Sequence, residues 1–359
     1  MRIGIVGLPN AGKSTLFNAL TRGGAQVGNY PFTTIEPNIA VASVPDERLG
    51  EIGRVVGSSE LVPETINFAD IAGLVKGASQ GEGLGNQFLA AIRESDAICH
   101  VVRSHAAENV VHPDGSIDPL RDIETIETEL LLADLEQATG RLERVEKQAK
   151  RGDPEVIAEA AWLREVVSAL GEGRAVRTVP AEGRAWDAPR RLHALTSKPV
   201  LYVANVAESD AQGGVPGPVA EHARSVGAEA VALSAQIENE LADLGPDEAA
   251  EMRSEYGLTE SGLERLTLAA YSLLGLITFY TADRDKEAMA RSLRRGSSAF
   301  DAARVVHTEI ADAFVKAEVV ASDDLIAAGG YNGARDRGLL RIEGRDYVVR
   351  DGDVVTIRN

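Results

Sequence analysis

Cysteine is nearly absent from this chain of 359 residues: Cys99 stands alone. A single thiol excludes an internal disulfide framework and any metal site built from several thiolates, and a cytoplasmic location is the expectation that follows. No apolar run approaches the length that spans a bilayer. The opening Met1-Arg2-Ile3-Gly4-Ile5-Val6-Gly7 reads as a short strand entering a turn, not as the apolar core of a signal peptide. An excess of basic charge is missing too. The net charge is −18, which disfavours broad, sequence-independent binding to nucleic acid. The deficit is uneven: from Leu276 onward there are 13 Lys and Arg against 14 Asp and Glu, and before it 24 against 41. If the protein touches RNA, the C-terminal part or a local basic patch is the expected surface. Long internal repeats and low-complexity tracts are also absent.

What is present is ordinary for a globular protein, with 44% hydrophobic and 26% charged residues, in a chain long enough for two or three domains. Short β-branched runs at Arg2–Val6, Ile39–Val44, Thr65–Ala69, Ala97–Val102, Val200–Ala204 and Ala228–Leu233 alternate with helical stretches, the pattern of a parallel sheet covered by helices. The interval between Val102 and Val200 is too long for one crossover. Within it Leu131, Leu135, Ala138, Leu142 and Val145, and again Val156, Ala160, Leu163, Val167 and Leu170, step by four and three, the spacing of coiled-coil seams. Gly152-Asp153-Pro154 between them supplies a helix end, an N-cap and a first helical residue. An antiparallel helical hairpin is expected, with two amphipathic helices packed on the sheet as the plainer reading. Arg141, Arg144, Lys147, Lys150 and Arg151 gather near its turn, as a partner surface or simply a solvated face. Gly257–Gly275 reads as helix. Leu276–Thr281 and Asp346–Ile357 are β-rich around a helix at Asp301–Phe314, a small α+β module. The boundaries that result are 1–120 and 198–275 for the two parts of an α/β domain, 121–197 for the helical insertion and 276–359 for the C-terminal module.

Gly7-Leu8-Pro9-Asn10-Ala11-Gly12-Lys13-Ser14-Thr15 matches G-x-x-x-x-G-K-[ST] between an expected strand and an expected helix. Such a loop turns backbone N–H groups, here from Asn10 through Thr15, toward phosphates. Lys13 would reach the β- and γ-phosphates and the Ser14 hydroxyl would ligate Mg²⁺. About 55 residues later Asp70-Ile71-Ala72-Gly73 ends a strand; Asp70 would hold Mg²⁺ through water and the Gly73 N–H would meet the γ-phosphate. Between them Tyr30-Pro31-Phe32-Thr33-Thr34 is a candidate switch segment, with Thr34 as a further Mg²⁺ ligand.

Asn205-Val206-Ala207-Glu208 ends another strand, where GTPases carry N-K-x-D. There the Asp reads guanine N1–H and the 2-amino group, donors that adenine lacks. With Val206 for the Lys and the longer Glu208 for the Asp, selection for guanine should be lost, while Asn205 and the Val206 backbone can still meet adenine. Ser234-Ala235-Gln236 resembles the loop that closes over the base. Leu74 stands where signalling GTPases have the Gln that orients water, so another group, with His112 as a candidate, would have to supply that function.

Taken together these residues resemble the YchF/Obg-like ATPases, within the Obg group of translation-associated P-loop NTPases. The resemblance runs almost end to end, through Gly7–Thr15, Pro31–Asn38, Asp70–Ser79, Gly81–Phe88 and Asn205–Glu208. It implies an Obg-type G domain interrupted by a coiled-coil hairpin and followed by a TGS domain of β-grasp form. It also implies a cytoplasmic, ribosome-associated ATPase that prefers ATP to GTP and uses Mg²⁺, with ribosomal RNA or protein of the large subunit as partner. Its magnesium ligands map to Ser14 and Thr34, its catalytic loop histidine to His112, and the asparagine linked in related proteins to a stimulatory K⁺ ion to Asn10. A monomer is the default. Two departures stand out. Thr33 occupies the place of a cysteine that some members tie to redox control, and Lys286–Ser292 lacks the K-E-x-R-A-W-T pattern of the C-terminal module. An Obg-type GTPase, and a scaffold in which bound nucleotide only sets shape, are the alternatives.

Overall fold

The computed structural model describes residues 1–25, 38–71, 84–106 and 116–358. The chain divides into two compact units, one of 1–42 with 67–269 and one of 43–66 with 270–359. In the first unit the strands β1 (Arg2–Val6), β2 (Ile39–Ser43), β4 (Thr65–Asp70), β5 (Ala97–Arg103), β6 (Val200–Asn205) and β7 (Glu229–Leu233) form one sheet in the order β2-β4-β1-β5-β6-β7; β3 (Glu60–Val62) belongs to the other. β1 lies between β4 and β5, and all pairs from β4 to β7 are parallel, as the alternation of strand and helix runs requires. Every residue of β5 and β6 is buried, as expected for central strands covered on both faces.

The hairpin is present. α4 (Pro119–Ala149) and α5 (Pro154–Gly171) are the fourth and fifth helices, after α1 (Lys13–Ala25), α2 (Glu47–Val56) and α3 (Leu84–Glu94). Gly152 turns with φ +83°, and the Asp153 carboxylate accepts the Glu155 N–H at 2.9 Å, capping α5 ahead of Pro154. All ten seam residues expected from the spacing pack into one cluster. The plainer reading also holds for half of α4: Ile123, Ile126, Leu130 and Ala133 pack on the sheet with Ile98, Val200 and Tyr202. One long helix thus serves the sheet with its first turns and α5 with its later ones. Two buried carboxylates fix this arrangement. Glu159 of α5 takes Arg141 of α4 (Nε at 2.7 Å) and Arg191 (3.1 Å). Asp134 of α4 accepts three hydrogen bonds, from the Leu195 N–H, the Thr196 N–H and the Thr196 hydroxyl at 2.7–2.8 Å, pinning the segment that leads back into β6.

The second unit is larger than the module expected from Leu276 onward, because it also contains residues 43–66. Its sheet adds β8 (Leu276–Ala282), β9 (Glu287–Arg294), β10 (Lys316–Ala321), β11 (Arg341–Glu343) and β12 (Asp353–Arg358) to β3, in the order β11-β10-β12-β8-β9-β3. Alternate residues of β8 serve opposite faces: Ile277 and Phe279 meet the helix Ala299–Val306, and Tyr280 meets Leu49, Ile52 and Val56 of α2. The single helix expected over Asp301–Phe314 is two, Ala299–Val306 and Thr308–Asp312, broken where His307 takes extended dihedrals and caps the second. The β-rich stretch expected from Asp346 narrows to β12, because Arg350, Asp351 and Gly352 form the turn before it.

Asp134 is almost fully buried, so its loss strands two backbone donors and one hydroxyl. Asp134→Ala should cost about 3–5 kcal/mol of unfolding free energy, measured by urea denaturation of the full chain. A loss below about 1 kcal/mol would mean that the return into β6 does not depend on this carboxylate.

Candidate nucleotide site

The loop between β1 and α1 lies close against the ends of β5 and β6. A Cβ on Gly7 would stand 2.4 Å from the Val101 carbonyl oxygen, and one on Gly12 would stand 2.2 Å from Nδ2 of Asn205. Gly12 also has φ +98°, so no larger residue fits there. Asn10 is left-handed, at φ +64°. The Leu16 N–H bonds Gly12 O at 2.9 Å, which starts α1. The N–H groups of Lys13, Ser14 and Thr15 in the first turn have no acceptor within the helix, and all three residues line a cleft of about 700 Å³.

Asn205, the last residue of β6, does more than was expected of it. Its Nδ2 donates to Ala11 O at 3.1 Å and its Oδ1 accepts the Ala235 N–H at 3.0 Å. The buried amide therefore ties the phosphate-type loop to the loop after β7 and has one N–H and one lone pair left for a base. Ala11 itself is buried and contributes this carbonyl. The Val206 N–H is committed to Leu233 O at 3.0 Å. Among the described residues no hydrogen bond takes the Val206 carbonyl, so that is its backbone group open to a base. Glu208 is exposed and lines the cleft. Ser234 is the N-cap of the helix Ala235–Leu241, with its hydroxyl 3.5 Å from the Ile237 N–H. Arg103 and His105 also line the cleft. Sequence reading passed over both, although the Arg103↔Asn205 register of β5 and β6 brings them there as soon as those strands are paired.

The electrostatics point to a charged ligand. Lys13 is buried, with its Nζ 2.9 Å from Leu8 O. Burial lowers its pKa, and the charge of Asp70 only partly offsets this. Burial likewise raises Asp70, against the pull of Lys13. Each charge has lost more hydration than the other returns, so the loop holds a cation in want of an anion and, at the end of β4, an anion in want of a cation. The oxygen donors Ser14 and Asp70 suit Mg²⁺ shared with phosphate and water. Among the described residues no three His, Cys, Asp or Glu side chains cluster to hold a metal by themselves. Thr34, Gly73, Leu74 and His112 lie outside the described residues. Cys99 is buried in β5 with its thiol pushed up to about 12 by burial, far from the reactive thiolate range.

Comparison with known proteins agrees with this geometry. The family model described as 50S ribosome-binding GTPase matches residues 2–134, and the C-terminal model of the YchF GTPases, described as a protein of unknown function, matches 276–359. The chain is 46% identical to the ribosome-binding ATPase YchF of Bacillus subtilis and 46% identical to that of Haemophilus influenzae, covering 99% of this chain and 98% of each relative. The solved structure of the Schizosaccharomyces pombe YchF GTPase superposes with a TM-score of 0.88 at 34% identity, over 100% of this chain and 97% of that one. With motifs, fold and end-to-end similarity in agreement, this chain belongs to the YchF family of P-loop nucleotide hydrolases.

Proposed function

We propose that this protein is a cytoplasmic, ribosome-binding ATPase that hydrolyses ATP to ADP and phosphate with Mg²⁺ and prefers ATP to GTP. The observation that carries the reading is the cleft itself: buried Lys13 and the first turn of α1 stand at one end and the Asn205–Glu208 loop at the other, joined through the Asn205 amide. Lys13 binds and neutralises the terminal phosphates, the N–H groups of Asn10 and of Gly12 to Thr15 orient them while the Ala11 N–H stays on Leu8 O at 3.3 Å, and Ser14, Thr34 and Asp70 would hold Mg²⁺, which would supply charge neutralisation at the phosphate oxygens. Gly73 contributes a donor to the γ-phosphate. At the base, the Val206 carbonyl accepts from the adenine 6-amino group but would face the 6-oxo group of guanine, acceptor against acceptor. Glu208 lacks the fit of Asp to the guanine edge, and Ser234 helps to close the loop. Titration of the nucleotide-free protein with non-hydrolysable ATP and GTP analogues should give at least tenfold tighter ATP binding, roughly the 1.4 kcal/mol of one lost polar match. The double change Val206→Lys and Glu208→Asp should move preference toward GTP. Tighter binding of GTP by the unaltered chain would favour the Obg-type GTPase reading.

His112 orients the attacking water in place of the Gln that Leu74 replaces, and Asn10 helps to hold a K⁺ ion that speeds the step. His112→Ala should lower turnover by about 10²-fold or more with nucleotide affinity unchanged. Unchanged turnover would leave the scaffold reading standing, and equal rates in K⁺ and Na⁺ would remove the potassium site.

The partner is the large ribosomal subunit, through RNA or protein, and the protein acts as a monomer. The C-terminal sheet with its covering helix is read as the TGS domain. Among the described residues no helix is long and apolar enough to cross a membrane. At the hairpin turn Arg144, Lys147, Lys150 and Arg151 are exposed and suit a phosphate backbone. Reversing Lys147, Lys150 and Arg151 to Glu should weaken co-sedimentation with ribosomes at least several-fold, most clearly at low salt, with ATP affinity retained. Undiminished co-sedimentation would assign the contact elsewhere.

A further inference from the structure

The loop that closes over the base has two separate attachments. Ser234, Ala235 and Gln236 line the cleft, and Asn205 takes the Ala235 N–H. The second attachment is Glu238, in the first turn of the helix Ala235–Leu241. Its backbone N–H bonds Ser234 O at 3.0 Å, and its side chain is almost fully buried. The carboxylate accepts three hydrogen bonds from the start of another helix, Gly262–Leu273. Oε1 takes the Gly262 N–H at 2.8 Å, and Oε2 takes the Ser261 hydroxyl at 3.2 Å and the Leu263 N–H at 3.4 Å. The Ser261 oxygen in turn accepts the Glu264 N–H at 3.4 Å, so one hydroxyl caps the second helix and reaches the carboxylate.

Among the described residues no cation pairs with Glu238. Its charge is met by N–H groups that have no acceptor within their own helix and by the positive end of that helix. Burial raises the Glu238 pKa against the pull of these donors. The approach is close: a Cβ on Gly262 would stand 2.7 Å from Glu238 Oε1 and 2.8 Å from the Leu233 Cβ. Arg265 adds a tie from the same helix start, Nη2 to Ala232 O of β7 at 3.0 Å. Ile237 and Leu241 also hold the helix Ala235–Leu241, by packing with Ala211 and Ala249. Such contacts are non-directional; the position of the first turn is set by the hydrogen bonds.

We infer that Glu238 is a positioning residue for the nucleotide base: by docking the first turn of its helix on the start of the helix Gly262–Leu273, it holds Ser234–Gln236 at the distance the base requires. The inference rests on the reading that the base lies against Asn205–Glu208 and Ser234–Gln236. The coupling is reciprocal, so a bound base steadies the start of the helix Gly262–Leu273, and phosphate alone does so less.

The test uses the full-length protein, a non-hydrolysable ATP analogue and inorganic tripolyphosphate, both with Mg²⁺. In the unaltered chain the analogue should slow amide hydrogen exchange at the start of the helix Gly262–Leu273 more than saturating tripolyphosphate does. In Glu238→Gln the carboxamide sets a donor against one of the N–H groups. By calorimetry its affinity for the analogue should fall at least about fivefold more than its affinity for tripolyphosphate, and the extra slowing of exchange should vanish. Gly262→Ala, which forces the same contact apart from the other side, should act in the same direction. Asp134→Ala, a buried carboxylate away from this contact, should lower stability and leave the ratio of the two affinities within about twofold of the unaltered chain. A ratio equally unmoved in Glu238→Gln would overturn the proposal, as would equal slowing by the two ligands in the unaltered chain. If the unaltered chain bound the analogue no more tightly than tripolyphosphate, the base site itself would fall, and this role for Glu238 with it.

Discussion

The first unit turns on one buried amide. Asn205 ends β6 at the point where the β1–α1 loop, the β5 end and the loop after β7 converge, and its two polar atoms are each used on backbone groups of different loops, Ala11 and Ala235. The helices that follow them, α1 and Ala235–Leu241, pack together, and the amide fixes the distance between the loops themselves. β1 and β7 are separated in the sheet by β5 and β6. The amide supplies that constraint at a place where water cannot substitute, and it forces the residue beneath it to be glycine, because Gly12 passes so close to Nδ2. Residues more than 190 apart in sequence are thus interdependent: the phosphate loop keeps its shape because the base loop is in place, and the reverse.

That preorganisation explains why the charges at the site can remain poorly compensated. Lys13 and Asp70 would relax toward solvent or toward each other if the loop were free to move. Held as they are, each has lost hydration that the other does not restore, and a bound nucleotide phosphate would recover the difference for Lys13. The hairpin is built by different means. Its seams are apolar, but its geometry relative to the sheet depends on carboxylates in the interior, Asp134 toward the returning chain and Glu159 toward two arginines. Removing Asp134 leaves buried donors without a partner, which costs more than a lost apolar contact of similar size, whereas the arginines on Glu159 are partly exposed and Arg191 keeps Asp187.

Much of this was legible in the sequence where local pattern decides structure. The six strands of the first sheet were readable because each is a short apolar, mostly β-branched run bounded by turn residues. The hairpin was readable because the seam spacing, Gly152, Asp153 and Pro154 agree with one another. What escaped reading depends on partners far along the chain. β9, Glu287–Arg294, carries charge on its exposed face and small alanines on its buried face, so its alternation is faint. β3 and α2 look like part of the first domain, and only the pairing of Glu60–Val62 with Glu287–Met289, with Asp46 and Arg48 bonded to Tyr280 and Asp351, assigns them to the second sheet. The break at His307 is a local exception, set by the cap that its ring makes to the Glu309 N–H two residues on. At the nucleotide site Asn205 was read as facing only the base, since a motif names a residue and not the second bond its side chain makes.

The charge distribution of the hairpin shows how such a reading is corrected by structure. Five basic residues near the turn look like one patch in sequence, yet they are not equivalent. Arg141 is drawn inward and bonded to buried Glu159, so it is part of the fold and contributes little to any external field. Arg144 bonds the Gly140 carbonyl while its side chain stays exposed. Lys147, Lys150 and Arg151 make none of the described ion pairs and project from the last turn of α4 and the loop beyond it. On a protein with a net charge of −18, attraction to RNA at distance is weak, and any binding to RNA would rest on close approach of a few such cations within a Debye length of phosphate. The hairpin would meet that need, because it carries those cations at its turn, many residues along α4 from the sheet-packing first turns.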